Sequence, residues 1–228
     1  PPRAHPMRLS SLYRVSPLGV AGCFASGLAL GAFWGMAPVF CRTLGLSEGD
    51  TAIFMVATIL GGLFLLWPLG RFSDRLDRRR VLTLACAVSA AASLAMVLIG
   101  GGSVLALFGL AIVFGGFTFP IYSIAVAHTN DFLEPEDFVS ASSSLLLVYG
   151  SGAILGPLIA GLMMGWMGAF GLYALLAGVM MITVFFALYR MLVRAPLPVQ
   201  EQEAVVHVPR TTHVAYELDP RTESHESA

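Results

Sequence analysis

The sequence predicts an all-α membrane protein with six transmembrane helices. Three observations carry that prediction. Six apolar runs of 19 to 27 residues contain no Asp, Glu, Arg or His. Mean hydropathy is +0.78, and 12% of residues are charged, against about 25% in soluble domains. The charges that exist sit in blocks between the apolar runs. A helix needs about 20 apolar residues to cross the hydrocarbon core. In lipid only helices and closed barrels satisfy their backbone, and runs this long exclude strands.

The spans are Pro17–Phe40, Thr51–Leu69, Val81–Ile99, Ser103–Ala127, Val139–Gly165 and Phe170–Tyr189. The connections Gly100–Gly102 and Trp166–Ala169 are short, so their flanking helices must be antiparallel neighbours. Residues 1–16 read as a linker, 17–193 as the bundle, and 194–228 as a disordered polar tail rich in Pro, Glu, Thr and His. His207, His213 and His225 in that tail match no metal-site spacing. The chain opens on Pro1, so either processing or a longer parent chain is expected.

Arginine placement sets the orientation. All 13 basic residues are arginine. Twelve of the 13 fall in the N-terminal segment, the connection 70–80 and the C-terminal segment; only Arg42 falls on the other side. Cytoplasmic loops carry the excess of Lys and Arg, so both termini are expected in the cytoplasm. The loop His128–Phe138 is cytoplasmic and acidic, with Asp131, Glu134, Glu136 and Asp137. It is expected to pair with the arginine loop at exposed sites, at about 0–1 kcal/mol per pair.

A net charge of −1 leaves no basic field for a nucleic acid. Three cysteines, Cys23, Cys41 and Cys86, make no disulfide framework. No metal or organic cofactor is implied. A serine protease of the rhomboid kind could place a nucleophile in Gly150-Ser151-Gly152, but no span carries a histidine to serve as its base. No charged ring or filter-like segment supports a channel. A purely structural membrane subunit stays open.

The most specific segment joins the second and third spans: Gly70-Arg-Phe-Ser-Asp74-Arg75-Leu-Asp77-Arg78-Arg79-Arg80. Gly70 would let the chain leave a helix tightly. Asp74 can cap a helix or pair with arginine. The three consecutive arginines anchor the next span at the membrane face. This segment resembles the loop signature of the major facilitator superfamily, with Gly70, Asp74, Arg75, Arg78 and Arg79 on the pattern. Phe72 replaces its leucine, and Asp77 stands at its second glycine. Tyr149-Gly150-Ser151-Gly152-Ala-Ile-Leu-Gly156-Pro157-Leu-Ile-Ala-Gly161 is similar to the glycine–proline signature of the fifth helix of a half. Read without any family, Gly152, Gly156, Pro157 and Gly161 form a helix-packing face.

The resemblance implies an MFS-type half bundle, the C-terminal six helices of a secondary transporter, in the bacterial cytoplasmic membrane. It implies a gate role for Asp74, Arg75 and Arg78, and a missing N-terminal half or a second copy as partner. It implies a small-molecule substrate, as in drug and metabolite efflux. No span carries a formal charge, so any titrating group of a proton relay belongs elsewhere. Candidate substrate-binding residues are then polar and aromatic: Phe33, Trp34, Thr118, Tyr122, Ser143 and Tyr149. Each also has a plainer reading, a serine bonding its own helix or an aromatic ring packing. Aromatic and hydroxyl groups without charge suit an amphiphilic solute.

Overall fold

A computed structural model describes residues 8–99 and 102–193 of the 228-residue chain. Expectations for residues 1–7, for Gly100 and Gly101, and for the tail 194–228 with its histidines lie outside the described residues. The elements are α1 (Leu9–Val15), α2 (Pro17–Thr43), α3 (Glu48–Arg75), α4 (Arg78–Ile99), α5 (Val104–Thr118), α6 (Pro120–Asn130), a 3-10 turn (Pro135–Asp137), α7 (Phe138–Met167) and α8 (Gly171–Val193). With α5 and α6 counted as one, six helices are long and apolar enough to cross a membrane.

Local chemistry explains most boundaries. Pro17 opens α2 at a position where its missing N–H costs nothing. The chain leaves α2 through Gly45 at φ 78°, and Leu46 N–H bonds the Cys41 carbonyl at 3.1 Å, closing a Schellman motif. Ser47 caps α3 by accepting from Asp50 N–H at 3.1 Å. The fourth span differs from the single run the sequence suggests. Pro120 cannot donate to the preceding turn, and the helix divides there into α5 and α6.

Three helix pairs dominate the packing: α2 on α7, α3 on α5, and α4 on α8. Numbering the spans one to six, these pairs are one–five, two–four and three–six. Exchanging the first three spans with the last three maps this set onto itself, the pattern of two inverted three-helix repeats. Small residues make the first two contacts close. A Cβ on Gly27 or Gly31 would run into the Tyr149 or Ala153 carbonyl of α7. A Cβ on Gly152 or Gly156 would meet the α2 backbone at Leu28 or Ala32. In α3 and α5, Gly61 and Gly115 interlock in the same way with the carbonyls of Ile112 and Thr58. Lipid supplies no hydrophobic drive between helices, so close backbone approach carries their association.

Where α2, α3, α5 and α8 meet, Phe33, Phe40, Phe54, Phe114 and Tyr173 form a fully buried aromatic cluster. The contacting ring centroids lie 4.9–6.4 Å apart, with Tyr173 edge to face on both Phe40 and Phe114. Burial is uneven among the spans: α2 is the most enclosed, α3 and α7 the least. Large apolar side chains such as Leu63, Phe64 and Trp67 on α3, and Ile154, Leu158 and Leu162 on α7, remain exposed.

Candidate functional site

The loop between α3 and α4 sits at the arginine-rich end of the bundle. The chain does not leave α3 at Gly70. That residue stays helical, with open space where a side chain would go, and the helix runs on to Arg75. The turn falls at Leu76 and Asp77 instead. Asp77 does there what the pattern's glycine would not: its carboxylate accepts from Arg79 N–H at 3.0 Å and caps α4. No non-glycine residue among those described has a positive φ, so the turn needs no glycine. Arg79 returns two side-chain bonds to the same carboxylate, at 3.1 and 3.0 Å. Burial alone would raise the Asp77 carboxyl, but these bonds and the charges of Arg79 and His128 outweigh it and hold it below the ordinary range.

Arg78 is the centre of the loop. Its guanidinium lies 3.0 Å from Asp131, at the end of α6, and 3.4 Å from Asp74 in the last turn of α3. The side chains of Arg78 and Asp131 are 1% and 2% exposed, and that of Asp74 is 30% exposed. The expectation of exposed pairing between the two loops is therefore corrected at this position: the pair is buried and joins three helix ends. The sequence places Asp131 in the acidic loop expected to pair with the arginine loop, without singling it out from the loop's other carboxylates. A signal was present, because a carboxylate at a helix C-terminus opposes the helix dipole and needs a cation nearby. Arg75 and Arg80 point outward, and Arg71 lies over the Trp67 ring at 5.7 Å.

The second region is a strip where α2, α6 and α7 meet. Tyr122 and Tyr149 stack edge to face at 4.9 Å across α6 and α7. Trp34 on α2 is 46% exposed and lies 6.1 Å from Phe119, at the α5–α6 break. Phe119 and Tyr122 are three residues apart and share one side of that helix. The α2 midpoint is near Leu30; Trp34 lies about 6 Å beyond it, and Gly27, level with Tyr149, about 4.5 Å before it. The strip is uncharged, partly exposed and central along the helices.

The other candidates are placed elsewhere. Phe33 is fully buried in the aromatic cluster. Thr118 is buried and its hydroxyl lies 2.6 Å from that of Ser89 on α4, a cross-helix hydrogen bond. Both pack the interior, so the strip is smaller than the sequence suggested, and Phe119 joins it instead. Ser143 is exposed nearer the arginine-rich end and donates to the Val139 carbonyl at 2.8 Å. Ser151 likewise donates to its own helix, to Val148 at 2.7 Å. Gly152 and Gly156 face α2, Pro157 lies against Gly35, and Gly161 approaches only the end of the Met36 side chain, at 3.8 Å. No three His, Cys, Asp or Glu residues gather as a metal site among the described residues.

A six-helix apolar bundle with this loop and this packing is the architecture of a multi-pass membrane transporter half. Comparison with known proteins places it further. The profile of the Major Facilitator Superfamily matches residues 19–219. The chain belongs to that superfamily. It is 32% identical over 151 residues to an uncharacterized MFS-type transporter, YcaD, in Salmonella paratyphi B, and to the same protein in Salmonella newport and Salmonella heidelberg. Those alignments cover 66% of this chain and 38% of each relative, so the chain spans well under half the length of the curated relatives it matches. Its fold resembles the crystal structure of an auto-inhibited POT family peptide transporter, with TM-score 0.66 and 13% identity, over 90% of this chain and 44% of that one.

Proposed function

We propose that this chain forms the C-terminal six-helix half of a secondary transporter that moves a small amphiphilic solute by alternating access. The observation that carries this is the uncharged strip of Trp34, Phe119, Tyr122 and Tyr149 near the middle of the bundle. Transporters of this architecture bind substrate at the midplane, between two halves that rock around it. Aromatic faces and two phenol hydroxyls suit a solute that is largely apolar with few polar groups. The exposed apolar sides of α3 and α7 await the other half, which a lone bundle would leave bare. A second copy of this chain is the other occupant to consider for that surface.

The membrane is the bacterial cytoplasmic one, with the arginine-rich end inside. Eight of the nine described arginines lie at that end, and Arg42 lies at the other. Asp74, Arg78 and Asp131 hold the inner ends of α3, α4 and α6 together, and exposed Arg75 reaches toward the partner half as a gate contact. Gly27, Gly31, Gly152 and Gly156 let α2 and α7 move as one body.

The test is substrate protection in the whole transporter that contains this chain. Tyr122→Cys is labelled with a maleimide in the presence of candidate amphiphilic cations, neutral lipophiles and peptides. One class should slow the labelling, and the same class should drive counterflow in proteoliposomes. Labelling unchanged by every class, with counterflow intact, would remove the strip from the transport path.

A further inference from the structure

At the arginine-rich end a small cleft opens where α2 begins. It is walled by residues 15–18, Arg79, His128, Phe132 and Arg190. Two guanidinium groups and an imidazole, carried by α4, α8 and α6, thus converge on one opening. No carboxylate lines it. Arg79 is already engaged by Asp77. Arg190 is different: it is partly buried, and among the described residues it pairs with no Asp or Glu. A partly buried guanidinium with no carboxylate beside it among the described residues leaves charge that an anion entering the cleft would balance.

The position suits a membrane lipid. Arg190 lies in the last turn of α8 and residues 15–18 lead into α2, so the cleft is at the level where the helices leave the hydrocarbon. Apolar side chains lie close in sequence to its walls on α8 and α1. Tyr189 and Leu192 on α8, and Leu9 and Tyr13 on α1, are all at least half exposed, offering cover for acyl chains. Guanidinium forks match phosphate oxygens and are held less tightly by water than an ammonium is.

We propose that this cleft is a phosphate site occupied by the headgroup of an anionic phospholipid, with Arg190 as its main contact. The site depends on neither the solute nor the direction of transport. It would tether the start of α2 to the end of α8 through one bound lipid.

Native mass spectrometry of the purified full-length protein tests this. Phosphatidylglycerol and phosphatidylcholine are titrated against the unaltered protein, Arg190→Gln, Arg190→Lys and, as a charge-matched control at the opposite end, Arg42→Gln. The unaltered protein and Arg42→Gln should retain phosphatidylglycerol preferentially. Arg190→Gln should weaken that binding about fivefold, and Arg190→Lys should recover part of it. Inorganic phosphate is the second arm. If it stabilises the protein in an Arg190-dependent way while the two lipids bind alike, the phosphate site stands and the lipid source is overturned. If Arg190→Gln and Arg42→Gln, both eluting as folded protein, bind phosphatidylglycerol equally and phosphate has no effect, the site itself is overturned.

Discussion

Replacing Asp131 with alanine probes the buried ion pair most directly. The substitution leaves Arg78, its side chain 1% exposed, with Asp74 at 3.4 Å as its ion-pair partner among the described residues. Removing one partner of a buried pair costs about 3–5 kcal/mol, because the remaining charge is stranded. Asp74 survives and is partly solvated, so a cost of about 2–3 kcal/mol is expected here. For a chain of this size that lowers the unfolding midpoint by about 5–10 °C. The assay is thermal unfolding in detergent followed by tryptophan fluorescence. Arg78→Met combined with Asp131→Leu should recover much of the loss, since two apolar residues strand no charge. Glu136→Arg, in the exposed part of the same loop, should stay within about 0.5 kcal/mol of the parent. An Asp131→Ala midpoint no lower than that of Glu136→Arg would refute the reasoning. So would a double variant as unstable as the sum of its parts.

Three further outcomes follow from the same geometry. Gly31→Leu sets a side chain against the Ala153 backbone, which cannot rotate away, so a loss of at least about 3 kcal/mol is expected; wild-type yield and midpoint would contradict it, and Gly109→Leu, with open space around it, is the tolerated control. The Asp77 carboxyl is held below its ordinary 3.8 in the folded state, so its contribution is complete above that value and is lost as pH falls through the lower folded value. Asp77→Asn should therefore be less stable than the parent at neutral pH, with the gap closing in acid; a gap that does not change with pH would show that the carboxylate's charge contributes nothing. For orientation, Thr43→Cys should react with an impermeant maleimide on intact cells and Arg80→Cys only after permeabilisation; the reverse pattern would invert the topology.

How much of the site could be read in advance depends on the range of the interactions. Asp74 and Arg78 are four residues apart and meet across one helical junction, so their pairing was visible in the order of residues. Asp131 lies 53 positions from Arg78, and nothing local announces which arginine it meets. Thr118 and Phe33 looked like cavity residues because hydroxyls and rings without charge are what a cavity would use. Their direction depends on the rotation of α5 and α2, and both turn inward, toward Ser89 and the aromatic cluster. Phe119 carries nothing in the sequence that sets it apart from the other apolar residues of its span. It meets Trp34 from the junction of α5 and α6, beside Pro120.

The sequence by itself determined that the chain is a six-span helical membrane bundle, and which end carries the arginines. Those properties follow from transfer free energies and charge placement summed along the chain, and they need no knowledge of contacts. Glycine spacing on the fifth span also pointed to close packing by α7, and α2 carries glycines at the same spacing. Tertiary structure alone decided that these two glycine faces interlock with each other, that the arginine loop is tied to α6 through a buried carboxylate, and that the uncharged strip narrows to four aromatic residues. Each of those depends on the rotation of one helix against another. Many rotations bury similar apolar area in lipid, and only the fit of backbones, hydroxyls and charges selects among them.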